Sequence, residues 1–235
     1  MPEPDTTAGA LQQVQHDPAT RKRFLKMVGG AGATGALGLL LAACGGDEGK
    51  AGSGAATTTT AKASTSSDLA IVNYALTLEY VEADFYDQAV QSGEIKDRAV
   101  ADLAKRIGES EHQHVDALTA TVKKLGGTPA MKPATKFDDV IGGGAAKILQ
   151  TAAAVENLGA AAYLGQAGRI KSKEVLAAAL SIHSVEARHA AALNALTGRR
   201  FAGNGPLDGS LPDGPFAKPM TMDQVLDQVK PFLAA

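Results

Sequence analysis

Two short stretches carry side chains that can do chemistry together: "ESEHQHVDAL" at residues 109–118 and "SVEARHAAAL" at residues 184–193. Each holds Glu-x-x-His, Glu111 with His114 and Glu186 with His189. Residues three apart on a helix share a face. Each pair therefore offers a carboxylate and an imidazole side by side, the mixed oxygen/nitrogen donor set of iron and manganese, with zinc also accommodated. An overlapping Glu-x-x-His, Glu109 with His112, competes with the first pair.

The helices that must position these residues decide between the two pairs. From Leu69, the residues Leu69, Val72, Leu76, Glu79, Ala83, Tyr86 and Val90 step by three and four and define one helix face. A second helix carries Val100, Leu103, Ile107, Glu111, His114, Leu118, Val122 and Leu125, and stops at Gly126-Gly127 after Lys123 and Lys124. A third carries Leu149, Ala152, Glu156, Gly159, Tyr163 and Ile170, and a fourth Leu176, Ile182, Glu186, His189, Leu193 and Leu196, ending at Gly198. Glu111 and His114 lie on the apolar stripe, where a polar group demands a partner. Glu109 and His112 lie off it and are read as solvated.

The two halves repeat. "LEYVEADFY" aligns with "VENLGAAAY", pairing Glu79 with Glu156 and Tyr86 with Tyr163, and the two Glu-x-x-His stretches align in the same order. Each half is a helical hairpin with one Glu on its first helix and Glu-x-x-His on its second. The connection over 126–144 is long enough to reach about 60 Å when extended, against about 37 Å for a helix of some 25 residues. Helices two and three can therefore run parallel, in an all-α, ferritin-like four-helix bundle with one long crossover. Such a bundle turns Glu79, Glu111, His114, Glu156, Glu186 and His189 toward one point. Four buried carboxylates need cations, since each unpaired charge costs several kcal/mol. Two divalent ions, Fe or Mn, would balance them. Glu82, one turn from Glu79, and the same-face Tyr86 and Tyr163 are read as supporting groups around the ligands. His183 is read as supporting or surface.

Residues 68–198 resemble the ferritin-like superfamily, and in particular bacterial ferritin-like domain proteins with a "LEYVEADFY"-type first helix. The resemblance implies a carboxylate-bridged metal pair on those six residues, with Glu79 and Glu156 terminal and Glu111 and Glu186 bridging. The tail "FAKPMTMDQVLDQVKPFL" is similar to the end of the same group. Thr221 with Gln224 forms a capping box for a short last helix expected to dock on the bundle.

The N-terminus reads as an export signal. A basic cluster, "TRKRFLK" at 20–26, precedes the weakly apolar run 27–43, which is too short and glycine-rich to span a membrane well. "LAAC", ending in the chain's single cysteine, Cys44, resembles a bacterial lipobox, which implies cleavage before Cys44 and lipidation of its thiol. "TRKRFLK" resembles a twin-arginine signal with Lys22 at the second Arg, leaving twin-arginine and general secretion as alternative routes. The organisation expected is a signal over 1–43, a flexible Gly/Ser/Thr/Ala tether over 44–67, the bundle over 68–198 and a C-terminal extension over 199–235. The mature domain would be lipid-anchored at the outer face of the bacterial cytoplasmic membrane, which suits a homodimer better than a closed cage.

Composition narrows the function. A net charge of -2 gives no electrostatic footprint for nucleic acid. One cysteine excludes an internal disulfide and any cysteine-based metal site. Aromatics at 4%, with no Trp, favour close-packed helices over a β-sandwich. Three functions fit: an iron-handling, ferroxidase-like oxidase acting with O2 or peroxide; manganese-catalase-like peroxide disproportionation; or a non-catalytic structural or stress protein of the envelope.

Overall fold

Asp97 and Ser172 start the two helices that carry Glu-x-x-His. Each side chain accepts a hydrogen bond from the backbone N–H three residues on, at Val100 and Val175, satisfying a donor that the helix leaves orphaned. The computed structural model describes residues 56–199, 210 and 214–234. Their helices are α1 (Ala56–Gln91), α2 (Arg98–Lys124), a single turn α3 (Asp138–Ile141), α4 (Gly144–Ala167), α5 (Lys173–Leu196) and α6 (Met222–Val229), followed by a 3₁₀ turn at Lys230–Phe232. The described residues contain no strand, only an isolated bridge between Thr135 and Leu233. No helix among them is long and apolar enough to cross a membrane. The export signal, the twin-arginine or lipobox reading and Cys44 lie outside the described residues.

The all-α bundle expected from the periodicity is present. α1 packs along α2 and α4 along α5, while α1 also meets α4 and α2 meets α5. Side-chain contacts fix the directions. Tyr86 and Glu79 of α1 reach Glu156 and Tyr163 of α4, so these helices are antiparallel. On the other side, a Cβ on Gly108 of α2 would meet the Tyr86 Cβ, while His114 reaches Glu79. α1 and α2 are therefore antiparallel, and α2 and α4 run parallel, as the crossover length permits.

The crossover runs lengthwise along α1 and is pinned to it. Asn73 donates to the Thr128 carbonyl and accepts from Ala130 N–H. Further along, Asp84 accepts from Lys132 and Thr135. Phe137 then inserts edge-on against Phe85 and stacks with Phe232, at ring-centroid separations of 5.2 and 5.4 Å. Few as they are, several of the chain's aromatics gather here, where their large area closes one end of the core. Leu76, Phe85, Ile107, Ile148 and Leu193 are almost completely buried, each contributing about 1.5–3 kcal/mol of transfer free energy.

The structure departs from the sequence reading in four places. α1 begins at Ala56, so Ala56–Ser67 extend the first helix upstream instead of forming part of a flexible tether. Adding residues to a helix already held by packing costs little compared with nucleating one, so a polar Ala/Thr/Ser run can follow. The crossover contains α3, because burial of Phe137 and Val140 draws one turn of chain against the core. Val90 and Leu196, placed on apolar stripes, are 38% and 43% exposed. Both stand in the last turn of their helices, next to buried neighbours, Ala89 and Asn194 with Leu193, so the outer edge of each stripe turns to solvent. Ile170 is buried but lies past the end of α4, in the turn to α5.

The C-terminal segment docks as expected. Thr221 and Gln224 form a capping box, and Val225 and Val229 join the core. Backbone hydrogen bonds from Lys136 to Phe232 and from Ala234 to Ala134 tie the tail to the crossover. Met220 donates to the Ala161 carbonyl, and a Cβ on Gly165 would lie 1.8 Å from the Met220 carbonyl oxygen. Gly165→Ala is expected to lift this segment off α4 at a cost of roughly 1–3 kcal/mol. A lower melting temperature together with new proteolytic cleavage near residues 214–222 would register it; unchanged proteolysis would contradict the docking role.

Candidate metal centre

Each helix of the bundle sends its acidic residue to the same place. Glu79, Glu111, Glu156 and Glu186 are all fully buried, His114 is 8% exposed, and His189 is half-buried. Two groups of potential ligand atoms form, each with all atoms within 4.8 Å of one another. One is Glu79, Glu111, His114 and Glu186; the other is Glu111, Glu156, Glu186 and His189. Glu111 and Glu186 belong to both. Glu79 with His114 and Glu156 with His189 flank them on opposite sides.

The contacts follow the same pseudo-symmetry. The Nδ1 of His114 lies 2.8 Å from Glu111, 3.1 Å from Glu79 and 3.2 Å from Glu186. The Nδ1 of His189 lies 3.0 Å from Glu111 and 3.2 Å from Glu156. Tyr86 donates to Glu156 at 2.6 Å and Tyr163 to Glu79 at 2.5 Å. Each tyrosine thus serves the lone Glu of the other repeat, not the Glu seven residues before it. Antiparallel packing of α1 on α4 brings the two exchanged pairs level. Burial raises both phenols well above their usual range, so they remain protonated donors.

Burial and mutual contact set the charges. Burial pushes Glu79 up to about 7 and raises Glu156 as well; Glu186 and Glu82 rise well above the carboxylate range, from burial first and then from neighbouring carboxylates. Burial also opposes ionisation of Glu111, but His114 and His189 outweigh it and hold that residue down at about 2. The same carboxylates overcome the burial of the imidazoles, raising His114 to about 12 and His189 to about 9. In the absence of metal, one ionised carboxylate thus lies between two imidazolium rings while the other carboxyls are held toward their protonated forms, so protons balance the charge of the cluster.

Unpaired acceptors test whether metal ions fit. Glu111 Oε1 and both carboxylate oxygens of Glu186 are buried without a hydrogen bond. Two of these oxygens lie near an imidazole nitrogen, Glu186 Oε1 at 3.2 Å from His114 and Glu111 Oε1 at 3.0 Å from His189. Unpaired buried acceptors in the two residues common to both groups, within an all-oxygen and imidazole donor set, suit divalent metal ions. The buried cluster can hold such ions.

Glu82 is buried, 5% exposed, and belongs to neither group. Its Oε1 faces Gly159: a Cβ there would be 2.8 Å from Glu82 Oε1 and 2.6 Å from Glu186 Oε2. The repeat pairs Glu82 with Gly159, so a carboxylate in one half occupies the space vacated by a side chain in the other. Gly159→Ala is expected to displace flexible carboxylate ends, not backbone. Metal affinity should fall about 10–100-fold with the melting temperature of the metal-free chain nearly unchanged. Equal metal affinity in wild type and variant would remove this role from Gly159.

The remaining sequence expectations divide cleanly. Glu109 and His112 are exposed, and His112 pairs with Asp87 at 3.0 Å. His183 is half-buried and bonds to the Ala160 carbonyl at 3.0 Å, tying α5 to α4. Three features escaped the sequence reading. Asp68, buried in α1, accepts from the backbone N–H groups of Lys171 and Ser172 and so anchors the start of α5. Asn157 and Asn194 form a reciprocal amide pair between α4 and α5. Gln166 is buried with its amide unpaired. Only Asp68 had a visible signal, an acidic residue beside an apolar face.

An all-α bundle with a buried carboxylate–histidine cluster shared between two hairpins defines a class of helical proteins whose core can hold metal ions. The family model described as the ferritin-like domain matches residues 67–199, more than half of the chain, and the chain belongs to that family. No curated protein matches it.

Proposed function

We propose that this chain holds a carboxylate-bridged dinuclear Fe or Mn centre and acts as an exported, iron-handling, ferroxidase-like oxidase. The observation carrying the reading is that Glu111 and Glu186 are common to two ligand groups, each completed by its own Glu and His. Glu79 and His114 would hold one ion, Glu156 and His189 the other, with Glu111 and Glu186 between them. When bound, a redox-active metal pair would supply electrons to O2 or peroxide. The residues provide the rest. Tyr86 and Tyr163 each hold one oxygen of a terminal carboxylate, orienting it. Gly159 leaves room for the Glu186 and Glu82 carboxylates. The surrounding apolar packing limits water, so that the charges act at low dielectric.

Export and tethering rest on the sequence: the basic "TRKRFLK", the apolar run and "LAAC" ending at Cys44 support a lipid anchor at the outer face of the bacterial cytoplasmic membrane. Anaerobic loading with Fe(II) is the test. The expected result is about two ions per chain and, on admission of O2, Fe(II) oxidation faster than that of free Fe(II). A folded chain that takes up neither Fe(II) nor Mn(II) defeats the reading. Mn uptake with peroxide disproportionation, and no Fe(II) oxidation, would replace it with the catalase-like function.

A further inference from the structure

Away from the carboxylates, a largely apolar pocket opens to the surface between α1, α2, α4 and α5. Leu78, Ile170 and Val175 contribute to its walls, and the small, exposed Ala178 stands at the rim. Two polar side chains break the apolar lining. Gln166 is 3% exposed, yet neither its Nε2 nor its Oε1 has a hydrogen-bond partner, and the buried Tyr74 hydroxyl is also unpaired. The antiparallel register that sets Glu79 beside Tyr163 and Tyr86 beside Glu156 brings Tyr74 and Gln166 to the same level. A buried amide with both ends unsatisfied costs a few kcal/mol, and the surrounding side chains offer it no partner. A ligand cavity has this make-up: apolar walls with a few converging polar groups that fix orientation.

We propose that this pocket binds a small, mainly apolar molecule bearing one hydrogen-bonding head that both donates and accepts, the chemistry of a phenol. The apolar body would lie against Leu78, Ile170 and Val175, and the head would meet the Gln166 amide and the Tyr74 hydroxyl. The ring of Tyr163 also lines the pocket, while its hydroxyl bonds Glu79. One tyrosine therefore separates the pocket from the carboxylate cluster. Binding here requires no metal and is independent of the oxidase reading.

The test is calorimetric titration of the full metal-free chain with phenol and with toluene, which has nearly the same shape but no hydroxyl. Saturable one-site binding of phenol is expected, with toluene at least about tenfold weaker, because a site built to hydrogen-bond a hydroxyl rejects the analogue lacking it. Gln166→Leu should abolish that preference. Ala179→Leu, filling the pocket lining without touching a polar group, should weaken both ligands. If Gln166→Leu does not fold, by its circular dichroism melt, the phenol-to-toluene ratio and the Ala179→Leu result decide. No saturable phenol binding, equal affinity for the two ligands, or phenol affinity unchanged in both variants overturns the proposal.

Discussion

Glu186→Leu is expected to abolish metal binding and, at the same time, to make the metal-free chain more stable. Glu186 is fully buried, neither of its oxygens has a hydrogen bond, and its carboxyl rises well above the usual range, through burial and then the charges of Glu156 and Glu79. Removing a buried, poorly satisfied carboxylate in favour of an apolar side chain of similar size relieves its desolvation. The gain should be roughly 1–3 kcal/mol in the metal-free state. Because Glu186 belongs to both ligand groups, one substitution removes a ligand from each. Thermal melts in chelator, beside metal uptake measured by elemental analysis, read both effects. A metal-free variant melting at or below wild type would mean that Glu186 makes a favourable contact after all. Retained uptake of both ions would remove it from the centre. This opposition of stability and binding separates a metal site from a structural polar network, in which losing a member destabilises the fold.

The second large effect is on pH. His189 and His114, raised to about 9 and about 12, contribute stability that is complete below the ordinary histidine value of 6.5. That contribution is lost as pH climbs through the folded values. Glu79, raised to about 7, is favoured in its protonated folded form, so its contribution also falls between 4.5 and 7. Glu111, held at about 2, works in the other direction: its contribution is present above 4.5 and lost as pH drops through 2. The metal-free chain should therefore melt highest near roughly pH 5 and progressively lower toward pH 9. Metal uptake runs the opposite way, since ions displace protons from the same groups. The rise in melting temperature produced by Mn(II) should be larger at pH 8 than at pH 5.5. Differential scanning calorimetry in chelator and in Mn(II) across this range checks both. A metal-free melting temperature that climbs from pH 5 to pH 8 would show that these groups do not dominate the titration of the fold.

Much of this cluster is legible in the sequence. Glu111, His114, Glu186 and His189 were marked by their place inside apolar helical stripes, and Glu79 and Glu156 by the internal repeat. Periodicity is a local property, set by the 3.6-residue turn, so it survives in a bare sequence. The crossover length likewise allowed parallel second and third helices, because chain reach depends only on residue count. The exposure of Val90 and Leu196 is not legible in the sequence, since a stripe does not say how a helix is rotated against its neighbours.

The pairing of side chains across the bundle was decided by tertiary structure. Sequence spacing set Tyr86 near Glu79, but the hydroxyl bonds Glu156, because antiparallel helices exchange neighbours that the chain keeps apart. The sequence reads Glu82 as a supporting group; only the close approach of α1 and α4 shows that Gly159 makes its space. Gln166 gave no signal, because an amide in a helix is ordinary until packing buries it without a partner. The sequence by itself determined which residues face inward and that their carboxylates need compensation, by protons or by cations, both consequences of helix geometry and desolvation. The tertiary structure alone decided which atoms meet and which stay unpaired, because those depend on the relative height and rotation of helices distant in sequence.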